Sequence, residues 1–471
     1  MESKPLPESK HASFELPRKT RWFVFSLILI LSFFSCLDMS TINTSIVDIK
    51  RDLSLTDQEF GMFSSLFFCG KIAGTLTFMF LLNICNRRYV FITVLLLYVS
   101  CLLCFVMTLP KMIIFITRIF LGFGNVFFFV YFPVWCDQFG IRKYKTLMIT
   151  LVSLVMPFGS IFGSVLSTFF TWKVPIIIEI SVIALVAVCL MCLSDKYFSG
   201  SIFIALSQSK IQEHGIPSVF NVVDIKDKDV KGKDDNSEKE ETFANLLKTP
   251  SFVAYIFARA LSFFPLMASM TYIHEYLERA MGITDKKKRL AIVSLSGLVG
   301  PTFGTFLGGT VCTLVGGYET VKARFALLVL QIICSIATIA LPYMNTLIPF
   351  TLIYGSTGLF FSAVLPIITG VILTSAPHKL RATANSVNSF ACNLLGQMPA
   401  PFIYGLLNQK FGANNPRAAM NMVTMASVIP AGLLVLAVIL DLAKRKKNVK
   451  REPFEKDDDK GEPLKDIENK A

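Results

Sequence analysis

The chain has 471 residues, 53% of them hydrophobic and 17% charged, with a mean hydropathy of +0.58. A soluble domain carries about 25% charged residues, so a single water-soluble globule is excluded and long apolar runs are implied. The net charge of +13 would favour nucleic-acid binding in a soluble protein. Here the basic residues sit at the ends of apolar runs and no nucleic-acid-binding motif accompanies them, so lipid headgroups and topology account for them.

Residues 1–21 are polar and lack the short apolar run and small-residue cleavage site of a signal peptide. Twelve apolar runs follow, at about 22–46, 58–82, 88–109, 112–135, 146–170, 174–194, 250–274, 288–315, 323–342, 346–374, 383–407 and 419–442. Each approaches or exceeds the roughly 20 residues that cross a bilayer as a helix. In lipid every backbone polar group must be satisfied within the segment, so these runs are read as helices. The stretch 196–249 is polar, and its 224–241 part alternates Lys with Asp and Glu, as a disordered linker does. Its start, Tyr197 to Leu206, is apolar enough to lie along a membrane surface. The expected organisation is a segment 1–21, a six-helix unit 22–195, the linker 196–249, a second six-helix unit 250–442 and a charged tail 443–471.

Charge sets the orientation. Arg18, Lys19 and Arg21 precede span one, and Arg87 and Arg88 follow span two. Arg142, Lys143 and Lys145 follow span four, Lys379 and Arg381 follow span ten, and Lys444 to Lys447 follow span twelve. All fall on one side, which the positive-inside rule makes cytoplasmic. Both termini and the linker are therefore expected in the cytoplasm. One loop disagrees: Lys286, Lys287, Lys288 and Arg289 would lie outside.

The two units repeat one another. Gly70 and Gly74 of span two match Gly300 and Gly304 of span eight. Gly122-Phe123-Gly124-Asn125-Val126-Phe127-Phe128 and then Pro133 of span four match Gly355-Ser356-Thr357-Gly358-Leu359-Phe360-Phe361 and then Pro366 of span ten. Met156-Pro157 and Gly163 of span five match Met398-Pro399 and Gly405 of span eleven. Three pairs in one order, each six spans apart, indicate two pseudo-symmetric six-helix bundles around a central path.

These features resemble the major facilitator superfamily. Arg118-x-x-x-Gly122-x-Gly124 is similar to that family's span-four pattern. Arg87 and Arg88 stand where its loop motif, which latches the two halves, has a basic pair, whereas Met79, Asn83 and Asn86 replace the Gly, Asp and Gly of the motif, and Thr313 replaces the acid of the second copy. Two stretches resemble the spinster-like branch: Asp38-Met39-Ser40-Thr41-Ile42, and Arg381-Ala382-Thr383-Ala384 followed by Leu394-Leu395-Gly396-Gln397-Met398-Pro399-Ala400-Pro401. Met39, Asn125 and Gln397 replace that branch's Arg, Glu and Asp. The resemblance implies an all-α membrane protein of the major facilitator fold with twelve transmembrane helices, working as a secondary transporter by alternating access.

Ionisable groups inside spans are costly unless paired or facing a cavity, so each is a candidate for substrate or ion coupling. Asp38 is placed in the outer half of span one, Lys71 near the middle of span two and Arg118 in the inner half of span four. Arg259 lies in span seven. Asp38 is read as a proton- or cation-coupling carboxylate or substrate contact, or as the ion-pair partner of Lys71. Arg118 is expected at the central cavity, as the family pattern implies, with Asn125 near the same face. Glu179 is close enough to the outer end of span six to be expected wet. Gly122, Gly124 and Gly163 are read as helix-packing positions, and Pro157, Pro366, Pro399 and Pro401 as kinks that gate the path.

No cofactor, metal or nucleotide-hydrolysis motif is found. The implied partner is a small-molecule or lipid-like substrate, an amphipathic anion or lysolipid, with a co-transported proton or ion and surrounding membrane lipid. The alternatives are a polar metabolite such as a sugar or amino acid, or a non-transporting receptor or scaffold that kept the fold. The protein is expected as a monomer in the plasma membrane or an endolysosomal membrane.

Overall fold

A computed structural model describes residues 18–139, 145–193, 198, 249–376 and 380–449. The expected linker, apart from Phe198 and Thr249, lies outside the described residues, as do residues 1–17, the loop 140–144 and the tail beyond 449. Among the described residues there is no strand. The first half contains α1 (Arg18–Phe34), α2 (Leu37–Thr44), α3 (Ile46–Asp52), α4 (Asp57–Ile84), α5 (Arg87–Val106), α6 (Lys111–Phe139), α7 (Lys145–Phe169) and α8 (Lys173–Met191). The second contains α9 (Pro250–Arg279), α10 (Lys286–Leu314), α11 (Val321–Ala340), α12 (Leu347–Thr374), α13 (Arg381–Ala391), a π-helical turn (Cys392–Gln397), α14 (Pro399–Phe411), α15 (Ala418–Met425) and α16 (Val428–Val449).

Among the described residues nine helices are long and apolar enough to cross a membrane. The other three spans are helical as well: α4, α7, and α13 continued through the π turn into α14. The surface of the spans is apolar, with Phe306, Leu314, Ile348 and Leu352 exposed, as a lipid-facing surface requires. Helix starts follow local chemistry. Thr56 and Glu59 form a reciprocal capping box at α4, and the Asp285 side chain accepts from the Lys287 N–H at α10. Asn86, where the family pattern has Gly, caps α5 by accepting from the Arg88 N–H at 3.0 Å.

The repeated glycines mark the same helix contact in both halves. A Cβ on Gly70 would lie 1.9 Å from the Ile119 carbonyl oxygen, and one on Gly122 1.8 Å from that of Phe67, so α4 and α6 touch backbone to backbone. In the second half Gly304 and Gly308 meet the Leu359 and Ala363 carbonyls in the same way, joining α10 to α12. The third pair diverges. Gly163 packs on Leu37 and Ser40 of its own half, whereas Gly405 packs on Asp57 and Gly61 of the other. Gly124 lies against the Tyr98 ring.

Candidate functional site

Span one is not one continuous helix. It breaks between α1 and α2, and the Ser35 carbonyl freed there accepts from the Asn125 side-chain amide at 3.1 Å. Asn125 thus holds the break that precedes Asp38. Arg118 lies seven residues earlier on α6, two turns along the same face, and donates to Asp38 Oδ2 at 3.2 Å. Both side chains are fully buried. The guanidinium is sandwiched over the Phe63 and Phe67 rings, 4.7 and 4.9 Å from their centroids, and also reaches Met39 Sδ at 3.5 Å.

Four expectations are corrected here. Arg118 does not face an open cavity; it is sealed between Asp38 and two phenylalanines. It also lies in the half of its span nearer Lys111, because α6 begins at the end where α3 leads into α4 and Arg118 is seven residues, about 10 Å, along it. Asp38 pairs with Arg118, not Lys71. Glu179, expected wet, is fully buried and accepts from the Tyr98 hydroxyl at 3.0 Å; α5 and α2 cover it, which distance from a helix end does not report.

Lys71 is half-buried and lies over Phe129, 4.8 Å from the ring centroid, with no carboxylate in ion-pair range among the described residues. The 127–129 phenylalanines divide: Phe127 and Phe128 are buried packing, and Phe129 is exposed beneath the Lys71 ammonium. In the second half Arg259 donates to Thr369 Oγ1 at 2.7 Å. Thr369 also lines an open cleft of about 460 Å³, with Thr305, Tyr318, Leu365 and Leu373. Pro366 stands on the wall of this cleft. Pro157 is exposed within α7. Pro399 opens α14 one residue after the π turn, and Pro401 is buried with its carbonyl accepting from the Tyr272 hydroxyl at 3.3 Å. Arg87 is buried. Arg88 donates to the Met191 carbonyl at 2.6 Å, so it closes the C-terminal end of α8 within its own half.

A second cluster went unread in the sequence. Lys50 donates to Asp57 at 2.6 Å and to Glu275 at 2.8 Å, bridging the halves. Arg279 reaches Asp57 at 3.3 Å, and the Asn408 amide donates to Asp57 Oδ2 at 2.9 Å. Lys50 also lies over the Phe60 and Tyr272 rings, and Tyr272 stacks on Tyr404, centroids 4.1 Å apart. Lys286 pairs with Asp48 across the halves, and Arg289 pairs with Glu278. Two basic residues of the loop that opposed the charge rule are thus matched by carboxylates. Hydrogen bonds and ion pairs that join the halves gather at this end, from Asp48 to Ser65. Asp57 lies just outside the apolar run of span two. Burial alone would raise its carboxyl, but Lys50 and Arg279 together hold it below the usual carboxylate range.

Among the described residues no three His, Cys, Asp or Glu side chains gather as metal ligands would. The arrangement can instead hold and release charge beneath a closed end: a sealed Asp38–Arg118 pair, a second carboxylate beside it, and cations at Lys71 and Arg259.

The whole chain is similar in fold to solved transporters. A bacterial homolog of the human lysosomal transporter Spinster, inward-facing and unoccupied, superposes with a TM-score of 0.68 at 15% identity, covering 92% of this chain and 99% of that one. A D-xylose–proton symporter gives 0.63 at 13% identity, covering 89% and 96%. A nucleoside transporter gives 0.63 at 14% identity, covering 90% and 99%. No curated protein matches the sequence. Residues 28–401, which run across both six-helix halves and the site between them, match the family model of the Major Facilitator Superfamily, and the chain belongs to that superfamily.

Proposed function

We propose that this chain is a secondary carrier that moves a small organic solute by alternating access. The observation that carries the reading is the contact between the halves at one end, where the Lys50–Asp57–Glu275 cluster and the Lys286–Asp48 pair bind them beside a buried Asp38–Arg118 pair. Two near-rigid halves joined at one end, with buried charge beneath the joint, suit a solute path that opens toward the opposite side. In this reading the closed end is extracellular or lumenal and the termini are cytoplasmic. The basic residues flanking spans one, two and twelve support that orientation.

For the solute, an amphipathic anion is the best-supported class. Lys71 has aromatic neighbours but no described counter-charge, and Arg259 stands beside a partly apolar cleft; both suit an anionic head with an apolar body. The fold likeness to the bacterial Spinster homolog agrees with this, and the likeness to the xylose and nucleoside transporters keeps a polar metabolite as the competing outcome. The test is uptake by the purified full chain in liposomes under an imposed proton gradient, with a lysophospholipid, a sugar and a nucleoside offered in parallel. Concentrative uptake of the lysophospholipid alone is the expected result. Uptake of the sugar or nucleoside instead would reassign the substrate, and no uptake of any solute would overturn the carrier reading.

A further inference from the structure

Glu179, expected wet from the sequence, is among the most deeply buried charge-bearing groups of the described residues. Its Oε1 accepts from the Tyr98 hydroxyl at 3.0 Å, while its Oε2 is buried with no hydrogen-bond partner. Asp38 has the same half-satisfied state: Oδ2 accepts from Arg118, and Oδ1 is buried without a partner. The two residues are neighbours, since the backbone N–H of Asp38 points at the Glu179 carboxylate. Each buried acceptor left unpaired costs roughly 1–3 kcal/mol. Two such oxygens on adjacent carboxyl groups share one remedy. A proton on Glu179 Oε2 supplies a donor, and Asp38 Oδ1 is an acceptor in want of one.

Charge counting gives the same answer. α5 presents Tyr98 to Glu179, α2 presents Asp38 with Cys36 just before it, α6 presents Arg118, and Lys71 of α4 lies near Asp38. The apolar runs of α1 and α7, which also pack on α8, contain no charged residue. Arg118 is committed to Asp38, and Lys71 to phenylalanine rings. An ionised Glu179 would face a neutral hydroxyl, a peptide N–H, the Asp38 charge and an Arg118 already paired with Asp38, a costly state for a buried charge. Two adjacent buried carboxyl groups ionise together only at high cost while this end is closed, so they hold one proton between them.

We propose that Glu179 and Asp38 share one exchangeable proton and that this pair, not Asp38 alone, is the proton-coupling site. The proposal deepens the carrier reading and its coupling role rests on it. On loading, a proton from one aqueous face adds to Glu179 Oε2 and is held against Asp38 Oδ1. On unloading it leaves to the other face, and the carboxylate pair is then opposed by Arg118 with Lys71 nearby. Glu179→Gln places an amide where the protonated acid stands; it keeps the acceptor for Tyr98 and offers a donor to Asp38, so the fold is retained while the titration is lost.

The test combines two readouts on the full chain. Infrared difference spectroscopy of purified protein stepped in pH is expected to show the carbonyl stretch of a titrating carboxyl group, lost in Glu179→Gln and restored in Glu179→Asp. The same titrating band in Glu179→Gln would overturn the proposal. In liposomes, proton-driven accumulation is expected to be lost in Glu179→Gln; accumulation equal to the parent's, or uptake driven by sodium and indifferent to pH, would overturn the coupling role. Because the infrared readout needs no solute, it is independent of the carrier reading. If the parent moves nothing while the band is lost in Glu179→Gln, the carrier reading falls and the shared-proton site stands.

Discussion

Asp38 and Arg118 form a fully buried ion pair 80 residues apart in sequence, and a pair of this kind is costly to break from one side. Asp38→Asn leaves the guanidinium buried without its counter-charge, at a cost of roughly 3–5 kcal/mol. The double change Asp38→Asn with Arg118→Met removes both charges, and the stacking on Phe63 and Phe67 is kept in part by the methionine stem. The double variant is therefore expected to melt at a higher temperature than Asp38→Asn alone, in a double-mutant cycle read by thermal unfolding in detergent. Equal losses that simply add would contradict a direct pair. The sequence identified Asp38 and Arg118 by one physical criterion, ionisable groups inside apolar runs, and Asn125 through the family resemblance and its place near the face of Arg118. It did not identify who pairs with whom, because that depends on the depth of each residue in its helix and on a break in span one. Glu179 was misplaced for the same reason: nearness to a helix end says nothing of the Tyr98 ring that covers it.

At the scale of elements, the glycine repeats were legible because they report a contact made twice. The α4–α6 and α10–α12 interfaces both need backbone approach closer than any side chain allows. Gly122→Ala would push a methyl group into the Phe67 carbonyl and is expected to destabilise by about 1–3 kcal/mol. Gly297→Ala, with nothing within 4 Å of its Cβ, is expected to be neutral or slightly stabilising. Thermal unfolding of the two variants side by side checks the pair; similar losses for both would contradict the packing account. The breaks were not legible. The α1–α2 junction at Ser35–Cys36 contains neither Gly nor Pro, and it is held by an amide from α6. The π turn at Cys392–Gln397 inserts its extra residue where Gly396 packs against the Ala260 carbonyl of α9. Its sequence stood out only through a family resemblance, with no local periodicity to announce the change of winding.

For the whole molecule, hydropathy and repeats were enough to lay out twelve helices in two halves, because both are properties of contiguous sequence. The closed end was not, because its polar groups come from three separate stretches: Lys50 and Asp57, Glu275 and Arg279, and Asn408. Asp57 makes one definite contribution to their pH behaviour. A carboxyl held below its ordinary value stabilises the closed end fully above that value, near pH 3.9, and this contribution is lost only as pH falls through the lowered one. Acidification to about pH 5 is therefore expected to leave the Asp57 contribution in place, whereas Asp57→Asn is expected to loosen the halves even at neutral pH. Spin labels at positions 48 and 286 would read the separation; an unchanged separation in Asp57→Asn at neutral pH would contradict the assignment. The central claim, that the two halves alternate, is tested most directly by thiol accessibility in a background without the 11 native cysteines. Asp48→Cys and Lys286→Cys are cross-linked across the closed end, and Lys71→Cys reports on the central path. Without the cross-link, an impermeant thiol reagent should label position 71 from either face of the liposome; with it, only from the face that carries the termini. Labelling from both faces in the cross-linked protein, or from one face alone without the cross-link, would contradict alternating access.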